Sequence, residues 1–290
     1  MFLPKVSIVI PAFNRAKYLE KTILSVLDQN YSNLELIIVD GGSNDGTLSI
    51  IEKHKAHIHY FISEPDQGMY YALQKGFEKS TGEIMAWINS DDLYHLNSLH
   101  IVSKIFSDLP NVEWISGMPA FYNNNSNCVK IHKPVFRTKE HFLIGDYKWI
   151  QQENIFWKRS LWERAGSKFN LENKLAGDFE LWSRYFTQAN LYFVETSFAG
   201  FRLHGEQLSI NKKEQYEIEA ENIHNLYITA NSTSLKLRIF RYLFKLKSKC
   251  LKSNKKMSKL LIELITLYLN KRLKVKNNIY YNFDINKWEY

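Results

Sequence analysis

LELIIVDGGSNDGTLSIIEKH, residues 34–54, contains a complete structural unit. An apolar, β-branched run ends abruptly in Asp40, a turn of Gly, Ser, Asn and Asp follows, and TLSIIEKH restores helical spacing. A buried strand, a polar turn and a helix are the first parts of a βαβ unit. The same order extends in both directions. VSIVI (6–10) precedes a helical pattern over 18–29 with Leu19, Ile23, Val26 and Leu27 on one face. HIHYFIS (57–63) precedes the helical stretch 69–80, EIMAWIN (83–89) precedes 96–106, and NVEWISG (111–117) reads as a fifth strand. Strands recurring about every 25–30 residues between helices predict an α/β fold with a mostly parallel sheet flanked by helices. Beyond it, NNNSN (123–127) marks a loop and 149–166 reads as strand, helix and Gly stop. A helix starts near Asp178, and 191–204 holds one strand or two.

Composition narrows the class. Of 290 residues, 45% are hydrophobic and 23% charged, which suits a folded domain with a smaller annex and excludes disorder throughout. No apolar run reaches the roughly 18–20 residues of a bilayer span, and the first residues lack the pattern of a secretory signal, so a cytoplasmic location is expected. Cys128 and Cys250 stand alone without a CxxC pattern, which argues against a disulfide framework or thiolate zinc site. Charge is divided unevenly: residues 1–210 hold 21 Lys+Arg against 23 Asp+Glu, and residues 211–290 hold 17 against 7. The chain is therefore expected to divide at 210/211 into a larger α/β domain and a basic, helical C-terminal region.

In parallel sheets ligands gather outside the carboxyl ends of the strands, and there the acidic residues fall. Asp91 and Asp92 follow a buried strand in INSDDLY (88–94), where paired oxygen ligands suit a hard divalent cation shared with substrate phosphates. The same pair would also cap a helix. Asp40 suits a ribose or base edge, or simply a turn. Asp178, before Glu180 in an aromatic segment, suits a general base or a helix cap. Arg202 and His204 would place a cation and an imidazole near phosphates, or serve the structure alone. Neither GxGxxG nor GxxxxGK[ST] occurs, which weakens dinucleotide and P-loop readings.

Taken in order, PAFNR (11–15), VDGGSNDGT (39–47), EPDQGMYYALQKG (64–76), INSDD (88–92), QQENIFWKRSLWERAG (151–166), GDFELWSR (177–184) and FRLHGEQLS (201–209) resemble the family-2 glycosyltransferases of the Rossmann-like GT-A fold over residues 4–210. The resemblance implies an inverting enzyme that uses a nucleotide-sugar, UDP-linked being favoured, with Mn2+ or Mg2+. It places Pro11, Ala12, Asn14, Asp40, Asp66 and Gly68 at the donor nucleotide. Asn89, Ser90 and Asp91 stand where the family has DxD, with Asp91 the first metal ligand and Asp92 and His204 as further candidates. Gln151 and Gln152 border the acceptor cleft, Asp178 is the base, and Arg202 and His204 close over the diphosphate. Two departures stand out: Asn89 occupies the first acidic position of DxD, and Gly177 replaces the glutamate that many relatives carry before the base.

The family also implies a glycan or lipid-linked acceptor and bacterial surface polysaccharide or lipopolysaccharide assembly. In 235–252, Leu235, Ile239, Leu243, Leu246 and Cys250 share one helical face, with Arg238, Arg241, Lys245, Lys249 and Lys252 opposite. That pattern predicts either contact with an anionic membrane surface at its inner face or a packed annex with a solvated basic side. A nucleic-acid partner is not expected, because the catalytic half is slightly acidic. A sugar-nucleotide pyrophosphorylase would need a Gly-rich phosphate loop where PAFNR stands, and a non-catalytic nucleotide-sugar-binding scaffold would not require Asp178.

Overall fold

The structure, a computed structural model, describes residues 3–133, 138–145, 150–205, 207, 211–231, 235–251, 256–272 and 277–290. The first half follows the predicted alternation: β1 (Val6–Ala12), α1 (Ala16–Leu27), β2 (Leu34–Asp40), α2 (Thr47–Lys53), β3 (Tyr60–Ser63), α3 (Met69–Lys79) and β4 (Ile84–Trp87). β1 pairs in parallel with β2 and β4, and β2 with β3. Both faces of these strands are covered, so β1 is buried along its whole length. On one side α1 contributes Leu19, Ile23 and Val26. On the other, α3 comes so close that a Cβ on Gly76 would stand 2.5 Å from Val9 Cγ1. The third strand starts at Tyr60 rather than 57, because residues 55–57 close a 3-10 turn.

Then come β5 (Leu93–Tyr94), α4 (Ser98–Asp108), β6 (Trp114–Ser116), β7 (Ala120–Tyr122), β8 (Cys128–Ile131), α5 (Lys139–Ile144), β9 (Ile155–Lys158), α6 (Arg159–Arg164), α7 (Gly177–Gln188), β10 (Leu191–Val194) and β11 (Ala199–Arg202). The stretch 191–204 is thus two strands, and they belong to different sheets. β10 extends the main sheet beside β6, whereas β11 joins β5 and β7 in a smaller four-stranded sheet. β9 runs antiparallel between β4 and β6. Trp87, Trp114, Trp157 and Trp182 are fully buried together where β4, β6 and β9 meet α7, with the Trp87 and Trp182 rings stacked at 5.4 Å. This aromatic block fixes the end of β4, and hence residues 88–92, against the helix that carries Asp178.

The last eighty residues are not helical throughout. α8 (Lys213–Asn231), α9 (Leu235–Leu251) and α10 (Lys256–Arg272) are followed by a hairpin, β12 (Asn278–Asn282) and β13 (Lys287–Glu289). β12 lies parallel to β10, with Ile279 buried, so the chain returns to the main sheet. The alternation of NIYYN, the FDIN turn and KWE carries that hairpin. α9 packs with Phe240, against a cluster holding Ile144, Ile265 and Leu269. Leu235 and Ile239, on the predicted apolar face, stay exposed, and Arg241 reaches the carbonyl of Leu143 at 3.3 Å. Residues 208–210, beside the predicted domain division, and Lys252 lie outside the described residues.

Candidate active site

A cavity of about 660 Å³ opens at the carboxyl ends of β1 and β4 and is lined also by the start of α7. Pro11, Ala12 and Asn14 line it from the end of β1, Asp66 and Gly68 from the loop before α3, and Asn89, Ser90 and Asp91 from the loop after β4. Gln152, from the turn before β9, and Asp178, from the start of α7, line the same space. Residues as far apart in sequence as Pro11 and Asp178 therefore meet in one cleft, the expected consequence of a mostly parallel sheet that gathers its loops at one end.

Asp40 is not in that lining. It is fully buried and accepts hydrogen bonds from the N–H groups of Gly42 (3.0 Å) and Ser43 (2.9 Å) and from the hydroxyls of Ser43 and Ser63. In place of the expected base or ribose contact, its carboxylate holds the 41–46 loop. That loop in turn receives Asn14, whose N–H donates to Ser43 Oγ and whose Oδ1 accepts from the Asn44 N–H. Gly41 faces the cavity so closely packed that an added Cβ would lie 3.2 Å from the Asp66 carboxylate. Replacing Asp40 by Ala would leave two buried N–H groups unmet, an expected cost of about 3 kcal/mol; thermal unfolding measures it, and an unchanged midpoint would refute the loop-holding role.

The neighbouring aspartates point different ways. The Asp91 carboxylate stands at the cavity, 3.0 Å from His204 Nε2 and 3.3 Å from Arg15 Nε. Asp92 is buried, accepts the Arg202 N–H at 2.9 Å and the Asn89 side-chain amide at 3.3 Å, and so ties β11 to the end of β4. Burial, then the nearby Glu153 and Asp91 charges, hold its carboxyl far above the usual carboxylate range. The backbone of this turn is gripped by Thr22 of α1, whose hydroxyl lies 3.0 Å from the Ser90 carbonyl and 2.8 Å from that of Asp92. Tyr18, one turn earlier on α1, stacks on His204 at 4.6 Å and lies under the Arg202 guanidinium at 5.2 Å. Arg202 and His204 thus sit behind Asp91 rather than in the cavity lining.

Gln151 is buried away from the cavity, donating to the Ala120 carbonyl at 2.8 Å and to Glu153 at 2.5 Å. Gln152 donates to the Trp87 carbonyl at 2.7 Å, while its Oε1 is buried without a partner beside the cavity. Glu153, not singled out in the sequence, lines the cavity at 2% exposure. Its carboxyl is pushed up to about 8, first by burial and then by the Asp91 and Asp178 charges, so it is a neutral acid at pH 7. Its available signal was position: an acid in QQEN, directly before the buried strand IFWK.

Asp178 occupies the first turn of α7, half-buried. Burial pushes its carboxyl up to about 6, against the opposing hydrogen bonds of the Phe179 N–H and the Tyr70 hydroxyl. A carboxylate with that value is ionised at neutral pH and basic enough to accept a proton. The loop before it is tied down by Glu219 of α8, whose carboxylate accepts the N–H groups of Lys174, Leu175 and Ala176 at 2.6–2.8 Å. Tyr216 of the same helix lines the cavity.

Asp91 lines the cavity, with its Oδ2 taken by His204 and Arg15, and Asn89 Oδ1 is buried without a partner, so hard oxygen donors of the right kind are present. Among the described residues no three His, Cys, Asp or Glu side chains converge as a self-sufficient site. The residues fit a cation held partly by the substrate's own phosphates.

A mostly parallel α/β sheet with acidic residues gathered at one cleft is the architecture of the GT-A glycosyltransferases. The family model described as Glycosyl transferase family 2 matches residues 7–170, and the chain belongs to that family. An uncharacterized glycosyltransferase of Rickettsia typhi is 29% identical over 231 residues, covering 74% of this chain and 70% of its own. Among solved structures, S. aureus TarS 1–349 in complex with UDP-GlcNAc superposes with a TM-score of 0.58 at 15% identity, covering 93% of this chain and 88% of that one. The mannosyltransferase PcManGT from Pyrobaculum calidifontis, in complex with GDP-Man and Mn2+, gives 0.60 at 16% identity, covering 93% and 81%.

Proposed function

We propose that this glycosyltransferase moves a sugar from a nucleoside-diphosphate donor to a hydroxyl of a glycan or lipid-linked acceptor with inversion. UDP is the favoured nucleotide, and surface polysaccharide or lipopolysaccharide assembly the favoured pathway. The observation that carries the reading is that Asp178, its carboxyl pushed up to about 6 by burial, lines one cavity with the β1 and β4 loops. The donor nucleotide would lie along Pro11–Asn14, Gly41, Asp66 and Gly68, with its sugar toward Gln152 and Glu153. Asp178 takes the acceptor proton as the acceptor oxygen bonds to the anomeric carbon, and the bond from that carbon to the diphosphate breaks on the opposite face. Neutral Glu153 can donate a hydrogen bond to a sugar hydroxyl without adding charge beside the base. Asp91, Asn89 and the donor's phosphates would hold a divalent cation, with Asp92 anchoring the loop behind them; when bound, the cation offsets charge on the leaving diphosphate. The complexes of the two structural neighbours, one with UDP-GlcNAc and one with GDP-Man and Mn2+, support the donor class and the metal. Stereochemistry is tested by NMR of the product's anomeric proton.

The chain would work at the inner face of a membrane. None of the described helices is long and apolar enough to cross a bilayer. α9, however, leaves Leu235, Ile239 and Tyr242 at 70%, 47% and 67% exposure, with exposed Arg238 and Lys245 on the same helix. Apolar side chains flanked by cations suit an anionic interface, where each basic residue contributes about 1 kcal/mol. Cutting the chain near 230 would also remove β12 from the main sheet, so charge reversal is the cleaner probe. Arg238→Glu with Lys245→Glu is expected to abolish co-flotation with phosphatidylglycerol vesicles while leaving the melting midpoint unchanged. Equal flotation of parent and variant would refute the membrane role.

A further inference from the structure

Resting on Asp178 as the base, we propose that Tyr70 is a positioning residue that orients Asp178 and sets the pH at which it works, and that Gly177 supplies the space this requires. Tyr70 lies in the first turn of α3 and is 3% exposed. Its hydroxyl oxygen accepts the N–H of Asp178 at 3.1 Å and lies 3.3 Å from Asp178 Oδ1 and 3.0 Å from the Leu175 carbonyl. A phenol has one proton to give. It can serve the carboxylate when Asp178 is ionised and the Leu175 carbonyl when Asp178 is protonated. The hydroxyl thereby stabilises the charged, reactive form without leaving its own place.

The approach is possible because residue 177 has no side chain. A Cβ there would lie 2.8–2.9 Å from three carbons of the Tyr70 ring. Gly177 opens a helix and does not sit in the left-handed region, so glycine serves here for room rather than for backbone freedom. The departure at 177 and the tyrosine 107 positions earlier are two halves of one arrangement. Tyr70 also lies directly after Asp66 and Gly68 of the donor wall, so one short segment touches both donor space and base.

The surroundings make the hydroxyl count. Glu219 of α8 raises the Asp178 carboxyl further, and Glu153, from the 152–154 turn, repels it when ionised. Tyr216 of α8 and Lys174 of the preceding loop face the same space. Removing a donor to the ionised carboxylate raises its pKa.

Tyr70→Phe keeps the ring and its packing on Phe169, 5.6 Å away, and removes only the oxygen. The acid limb of kcat, rising through about pH 6 in the parent, is expected to move up by about one pH unit, so that the loss is roughly fivefold greater at pH 6 than at pH 8.5. Nucleotide affinity is expected to stay as it is. Gly177→Ala should push the ring aside and shift the limb the same way, and the double variant should shift it no further. An unmoved limb, a loss uniform across pH whether or not the melting midpoint falls, or additive shifts in the double variant would each overturn the proposal. Asp178→Asn separates the two layers. If it transfers sugar at the parent's rate, the base assignment fails. If its rate falls by about 10²-fold or more while the Tyr70→Phe limb stays put, only the role of Tyr70 fails.

Discussion

Asp178→Asn is expected to lower the transfer rate by about 10²–10⁴-fold, the usual worth of a general base, with nucleotide affinity essentially unchanged. The amide has the shape of the carboxylate and can keep the Tyr70 hydroxyl as a partner, but it cannot take the acceptor's proton. Asp178 belongs to α7, apart in the chain from the β1 and β4 loops that also line the cavity, so the substitution leaves the residues of those loops unchanged. The pH dependence follows in sign. Asp178 is active when ionised, and its carboxyl is raised to about 6; the parent's kcat therefore rises as pH passes through about 6 and levels above it, and the variant's residual rate loses that limb. Single-turnover transfer measured beside nucleotide titration tests both halves. Equal losses in affinity and turnover would make Asp178 a donor-binding residue, and a retained acid limb would move the base elsewhere, with Glu153 the next acid of that cavity.

The repeated strand–turn–helix order of the first 115 residues was legible because each element states its own period: β-branched runs for buried strands, Leu19, Ile23 and Val26 for the inner face of α1. The placing of acids at strand ends followed from topology alone. What a linear reading lacked was direction. Asp91 and Asp92 are equivalent as letters, yet in the turn one faces the cleft and the other anchors β11. Asp40 ends a strand where a ligand contact is expected, but GGS and Ser63 supply enough donors to absorb its carboxylate. Glu153 was hidden because its importance comes from burial among Asp91 and Asp178, which no local pattern reveals. The C-terminal hairpin is masked by composition, since 17 basic residues among apolar ones suit helices and the alternation in NIYYN spans only five residues. Gly177 made sense only with Tyr70 beside it.

Asp91→Ala carries the second large effect, because the acidic loop has little redundancy. Asn89 stands where a first carboxylate is expected, and Asp92 is buried, neutral and committed to the Arg202 N–H. Asp91 is then the one carboxylate that this loop presents to the cavity. Electrophilic assistance of the kind a divalent cation gives is worth several kcal/mol, so transfer is expected to fall by about 10²–10³-fold. Binding offers a readout apart from activity. In the parent, nucleoside diphosphate at 100 times its Kd should stabilise the fold by about 2.7 kcal/mol, and Mn2+ should enlarge the effect of UDP over GDP, dTDP or CDP. In Asp91→Ala the metal increment should vanish while the metal-free part remains, since Pro11, Ala12, Asn14 and Gly68 are untouched. His204 and Arg15, released from Asp91, would even favour the bare diphosphate slightly. Should the variant keep the full metal increment, the cation does not bind at Asp91. Should the parent show none, Asn89 marks a family member in which Arg15 and His204, swung from Asp91 to the diphosphate, do the work of the metal.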